Sequence, residues 1–198
     1  MDEAASLCSG GMLAVLSVPS ETVKDLLAEI GEPDRITVAN ENAPDQVVVS
    51  GASDLLRQFA DLVTARRLGR CRALSVAGPW HSPLMSRARL EFEHWIQAFN
   101  LRPPQTPLIL NATGALESDP RRIRQLTSQQ LTSPVLWRDC MSTLKRMDVG
   151  TLLEVGPGRV LSGLARVNDF GDETRIFNIN NLRGLAHYRE ETRQAGEE

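Results

Sequence analysis

Residues 11–31 read GMLAVLSVPSETVKDLLAEIG, and residues 36–51 read ITVANENAPDQVVVSG. The first stretch opens on an apolar run of the length of one buried strand. Ser20 then stands where a helix cap belongs, and Val23, Leu26, Leu27 and Ile30 follow at helical spacing until Gly31. The second stretch gives two strands, ITVANEN and the β-branched QVVVSG, with a turn at APDQ between them. Working outward, Ser53 is placed to cap a second helix with Leu55, Leu56, Phe59, Leu62 and Val63 on one face, and RCRALSV at 70–76 reads as a fourth strand. Strand, helix, strand, strand, helix, strand is the split βαβ, or ferredoxin-like, arrangement, over roughly residues 10–76.

The pattern then changes. Residues 81–84 lead into a helix through Phe99, with Leu90, Trp95, Ile96 and Phe99 as its apolar positions, and Pro103-Pro104 stops it. TPLILNATG is predicted as a strand and turn, 119–131 as a charged helical segment and 134–148 as an amphipathic helix. TLLEV, RVLSGLARV and TRIFNIN then read as strand, helix and strand. Strands that alternate with helices predict a parallel sheet. The polar stretch after Leu185 is expected to be a frayed helix or a disordered tail.

Composition narrows the function classes. The 198 residues carry a net charge of −3, with 41% hydrophobic and 24% charged residues, a balance able to bury a core. The lack of a basic field argues against a nucleic-acid partner. No apolar run approaches the ~20 residues of a membrane helix, and the acidic start MDEAASLCSGG does not resemble a secretory signal. Cys8, Cys71 and Cys140 are odd in number, widely spaced and fit no metal pattern, which points to a reducing, cytoplasmic setting.

Among residues that could carry chemistry, no serine here has the glycine flanks of a Gly-x-Ser-x-Gly nucleophile elbow. Ser9, Ser50 and Ser162 each lie near a glycine without fitting. His94 and His187 read as surface residues. His81, in AGPWHSPLM, follows a strand and precedes a helix. There an imidazole can face a crevice as a general base, or can serve only to cap or pack. GPGRVLSG at 156–163 opens a helix, but its glycine spacing fits neither phosphate-loop fingerprint, and a tight turn is the better reading. Asn40 and Asn42 can be turn-forming asparagines, and Trp80, Trp95 and Trp137 read as core.

Six of these stretches occur in one order and with one spacing: GMLAVL at 11–16, VANENAPDQVVVSG at 38–51, SVAGPWHSPLM at 75–85, LNATG at 110–114, QQLTSPVLW at 129–137 and LLEVGPGRVLSGL at 152–164. Together they resemble the malonyl-CoA:acyl-carrier-protein transacylases of fatty-acid and polyketide synthesis, over roughly residues 1–183. The resemblance implies part of an α/β-hydrolase-like acyltransferase core at 77–185, a ferredoxin-like subdomain at 1–76 and a polar tail at 186–198. It implies ping-pong transfer of malonyl from coenzyme A, through a serine ester, to the phosphopantetheine thiol of an acyl carrier protein, with the coenzyme A thioester as substrate and no bound cofactor. His81 matches the family's base, and Gln130 the glutamine whose main-chain carbonyl orients it. Asn40 and Asn42 match asparagines near the site, and Trp80 the residue bordering the acyl pocket.

Two departures stand out. The family's GQGSQ segment, GHSLGE elbow and malonyl-clamping arginine belong to the part of its pattern upstream of residue 1, so the chain alone is expected to be inactive. Trp80 stands where the family carries phenylalanine or something smaller, which favours malonyl over methylmalonyl. The alternatives are a carrier-protein-binding module, a complement to an N-terminal half, or a polyketide-type fragment with another acyl donor. Strands left without neighbours would also favour a homo-oligomer.

Overall fold

The computed structural model describes residues 9–170 and 173–194. They form a mixed α/β structure in two compact units, one running to Thr143 and the other beginning at Leu144.

In the first unit, β1 (Gly10–Leu16), α1 (Ser20–Ile30), β2 (Ile36–Ala43), β3 (Gln46–Ala52), α2 (Ser53–Ala65) and β4 (Arg70–Ala73) follow the expected order. The four strands make one antiparallel sheet ordered β2-β3-β1-β4. Alternation puts Leu13 and Val15 of β1, and Val47 and Val49 of β3, on the face that receives both helices. There they pack with Val23 and Leu26 of α1 and Leu55, Phe59 and Val63 of α2. Phe59 and Val63 are fully buried, and burial of this kind contributes about 1.5–3 kcal/mol per side chain. The opposite face carries a smaller cluster of Met12, Ala39 and Val48, with Trp80 against it.

Neither serine caps its helix. Pro19 and Ala52 occupy the cap positions without a side-chain hydrogen bond. Ser20 turns its hydroxyl away to a buried carboxylate, Glu41 Oε2, at 3.0 Å. The fourth strand is also shorter than expected and stops at Ala73.

A 3₁₀ turn at Pro83–Met85 leads into α3 (Ser86–Ile96). Here the apolar reading needs correcting. Ile96 and Ala88 are buried, but Leu90, Trp95 and Phe99 are exposed. Trp95 instead stacks between Phe92 and Phe99 on the helix surface. The next strand does not extend a parallel sheet either: β5 (Leu108–Leu110) pairs antiparallel with β6 (Ala115–Glu117). The cause is Gly114, which closes the hairpin at φ +65° with its N–H on the Leu110 carbonyl at 2.8 Å. α4 (Pro120–Gln129) starts with Pro120, and Asp119 caps it by accepting the Arg121 N–H at 3.0 Å. α5 (Trp137–Arg146) follows.

In the second unit, β7 (Thr151–Val155), α6 (Val160–Val167) and β8 (Arg175–Ile179) form a βαβ unit whose two strands are parallel, as predicted. The turn between β7 and α6 is stopped by glycines at positive φ, Gly156 and Gly158. Glu154 reaches over it and accepts the Leu161 and Ser162 N–H groups at 3.0 and 2.8 Å. A carboxylate of the chain itself therefore occupies the helix N-terminus where a phosphate would sit. The polar end forms α7 (Leu182–Gln194), with the rings of His187 and Tyr188 edge-on to Phe177. Cys8 lies outside the described residues; Cys71 and Cys140 are free thiols. No described helix is long and apolar enough to cross a membrane.

Candidate active site

His81 sits on the connection between β4 and α3. Its neighbours Pro79 and Ser82 are fully buried. The Ser82 hydroxyl donates to the Pro79 carbonyl at 2.6 Å, and the Met85 N–H to the Ser82 carbonyl at 3.0 Å. This turn holds His81 at φ +58°. Histidine visits the left-handed region more readily than most residues, yet the conformation still costs on the order of 1 kcal/mol and persists because its surroundings over-determine it.

The imidazole is half-buried, and its Nδ1 lies 2.7 Å from the Gln130 main-chain oxygen. A carbonyl only accepts, so in the neutral ring Nδ1 carries the proton and Nε2 keeps its lone pair. Gln130 is suited to this because it is the C-cap of α4. The last carbonyls of a helix have no partner within it, so this oxygen is free to accept from the ring. The side chain of Gln130 turns the other way, donating from Nε2 to the Ser133 and Pro134 carbonyls at 3.0 and 3.2 Å. That closes the loop 130–134.

The loop is then tied to the sheet. Val135 N–H donates to the Ala39 carbonyl at 2.8 Å, and Glu41 N–H donates to the Val135 carbonyl at 2.9 Å. These bonds form a parallel bridge between Asn40 and Val135. Leu136 N–H reaches the Asn111 carbonyl at 2.7 Å.

A cavity of about 750 Å³ opens at this point, walled by His81, Gln130, Arg87, Phe92, Trp95 and Asn111 among others. Most of its wall is apolar. Arg87 is engaged with Glu91 at 3.1 Å across one turn of α3. Of the residues singled out from the sequence, His81 and Gln130 come together at the cavity. Asn40 joins them only through Val135, and Asn42 stands two residues further along the same strand. Neither asparagine lines the cavity, and nor does Trp80, whose indole packs on Met12, Ala39 and Val48. His94 and His187 are exposed.

Sequence reasoning missed Ser82 and Glu41. Ser82 left no pattern beyond its place after the histidine. Glu41 did leave one, because a charge between Ala39 and Ala43 in an alternating strand falls on the buried face. No group of three or more metal-ligating side chains occurs among the described residues.

The model of the acyl transferase domain family matches residues 1–166. The chain belongs to that family. It is similar to the malonyl CoA-acyl carrier protein transacylase of Bacillus subtilis (strain 168), with 30% identity over 167 residues, 84% of this chain and 53% of that protein. It is also similar to the polyketide biosynthesis malonyl CoA-acyl carrier protein transacylase PksC of the same strain, with 37% identity over 159 residues, 80% of this chain and 54% of that one. Among solved structures, MCAT from Streptococcus pneumoniae superimposes with a TM-score of 0.89 at 27% identity, over 96% of this chain and 62% of that one. A malonyl-transacylase solved in complex with its type II polyketide synthase acyl-carrier protein gives 0.85 at 26% identity, over 93% of this chain and 60% of that one. The chain spans about half the length of the curated relatives it matches.

Proposed function

We propose that this acyltransferase chain supplies the general base, and the carbonyl that aims it, for moving a malonyl group from coenzyme A to the phosphopantetheine thiol of an acyl carrier protein. The observation that carries the reading is the 2.7 Å contact between His81 Nδ1 and the Gln130 carbonyl at the edge of a mainly apolar cavity.

The chemistry follows from that contact. Nε2 takes the proton of a serine hydroxyl as the hydroxyl attacks the thioester carbonyl. The imidazolium that results is stabilised by the Gln130 carbonyl at the end of α4. It returns the proton to the departing coenzyme A sulfur as the C–S bond breaks, leaving a serine ester. In the second half His81 deprotonates the carrier-protein thiol, which attacks the ester, and the proton passes back to the serine oxygen. None of the 198 residues is a Gly-x-Ser-x-Gly serine, so a polypeptide of these residues alone is expected to carry out neither half. Asn40, Asn42 and Trp80 do not line this cavity, and any border they give the bound acyl group is proposed to lie outside it, on the side that the serine-bearing polypeptide would complete. The sheet order β2-β3-β1-β4, with both helices on one face, supports a ferredoxin-like subdomain.

The test mixes the chain with malonyl-CoA, carrier protein and a polypeptide that bears a Gly-x-Ser-x-Gly serine and matches the part of the relatives this chain does not cover. Transfer should require both polypeptides and should fall on the order of 10⁴-fold or more with His81→Asn. Burst acylation of the chain by itself, or reconstituted transfer indifferent to His81→Asn, would refute the proposal.

A further inference from the structure

Glu41 lies in β2 between the two asparagines and is only 8% exposed. A carboxylate so placed is strongly disfavoured unless it is paired and hydrogen-bonded. Its two oxygens serve different partners. Oε1 lies 3.2 Å from Lys24 Nζ on α1. Oε2 accepts the Ser20 hydroxyl at 3.0 Å and lies 3.3 Å from the Arg138 guanidinium at the start of α5.

The Arg138 side of this network leads to the histidine. The main chain of β2 already grips Val135 on both sides, through the Val135 N–H to Ala39 and the Glu41 N–H to Val135. The Glu41–Arg138 pair adds a second attachment three residues further on. A segment held at 135 and 138 has little freedom to move its preceding loop, which the Gln130 side chain closes on itself. The Gln130 carbonyl at the head of that loop is the group that meets His81. The Lys24 side leads elsewhere, to α1 and to Glu21 at 3.2 Å.

We propose that Glu41 is a positioning residue for His81: through Arg138 it pins residues 135–138 to β2 and so fixes the Gln130 carbonyl that selects the Nδ1–H form of the ring. This rests on the reading of His81 as the general base. Stability alone does not ask for a carboxylate here, since apolar side chains of similar volume replace buried ion pairs without loss in many proteins. What the ion pair adds is a fixed direction between strand and helix start.

The experiment records long-range proton–nitrogen spectra of the ¹⁵N-labelled chain, with the His81 ring assigned by its loss in His81→Asn. The unmodified chain should show a protonated Nδ1, shielded from solvent exchange, and an unprotonated Nε2. Glu41→Gln and Arg138→Gln should both lose the shielded Nδ1–H and bring the two nitrogens toward averaged shifts, while circular dichroism stays that of the folded chain. Lys24→Gln removes an ion pair from the same carboxylate and should leave the His81 spectrum unchanged. If Glu41→Gln fails to fold, Arg138→Gln decides the matter, because that side chain is partly exposed. The proposal is overturned if folded Glu41→Gln or Arg138→Gln keeps the original ring spectrum, or if Lys24→Gln disturbs it equally. An unmodified ring already protonated on Nε2 would instead remove the general-base reading, before any variant of Glu41 is compared.

Discussion

Ser82→Ala takes one oxygen out of the turn that carries His81, and the structure sets the size of the effect. The hydroxyl is fully buried and donates at 2.6 Å to the carbonyl of Pro79, itself buried. Without it that carbonyl loses its hydroxyl donor where water does not reach. Leaving a buried acceptor unpaired costs about 1–3 kcal/mol. For a chain of this length each kcal/mol moves the midpoint by roughly 2–4 °C, so scanning calorimetry should record a fall of about 2–12 °C. The same bond helps to hold His81 at positive φ. Its loss should let the backbone relax toward an ordinary conformation and carry the ring away from Gln130, with a faster-exchanging Nδ1 proton in the nitrogen spectra. If the midpoint stays within about 1 °C and the ring contact survives, the turn is held by packing alone and the reasoning is wrong.

Two further predictions concern titratable groups. Partial desolvation pushes the Glu154 carboxyl up, but hydrogen bonds from the Ser162 hydroxyl and N–H, the Leu161 N–H and the Asn178 amide together outweigh it and hold the group below its ordinary value of 4.5. A depressed folded-state value means that the carboxylate's contribution is present above the unfolded value and disappears as pH falls through the folded one. Urea titrations should therefore find Glu154→Gln less stable by about 0.5–2 kcal/mol at pH 7, with the gap closing at acid pH; an equal gap at pH 7 and pH 3 would rule this out. Burial, then the charge of Asp139, pushes the Cys140 thiol up to about 11 against a weaker backbone hydrogen bond. At pH 8 only on the order of one thiol in a thousand is then ionised. Iodoacetamide should spare Cys140 in the folded chain and label it in urea, and comparable labelling rates in the two states would contradict the assigned environment.

The first half of the fold was legible because each of its apolar runs is bounded by its own punctuation, such as Gly31, the Pro44-Asp45 turn and Gly51. The alternation within β1 and β3 then left one face for the helices. What failed was local chemistry that depends on distant partners. Ser20 looks like a cap, but Glu41, 21 residues away, takes its hydroxyl. TPLILNATG reads as a strand and a turn, but the turn at Gly114 leads into an antiparallel partner, β6, and not into a parallel sheet. Leu90, Trp95 and Phe99 carry a helical period without being buried, because periodicity records which residues share a face and not whether anything covers it. The polar C-terminal stretch reads as a frayed helix or a disordered tail; it is the helix, and Phe177 gives α7 two aromatic contacts. At the site, the pairing of His81 with Gln130 was expected from the resemblance, whereas Glu41 had to be seen with its partners.

The left-handed backbone at position 81 narrows the alphabet available there. Valine, isoleucine and threonine clash in that conformation, and alanine gains nothing to offset it; asparagine and glycine tolerate it. An alanine scan at this position would thus merge two losses, one of a ring and one of a comfortable main chain, and would overstate the first. Asparagine keeps the bend while deleting the base. For the same reason, natural or laboratory drift away from histidine here is channelled through very few residues, and a survey of what replaces it would read out the shape of the turn as much as the chemistry performed on it.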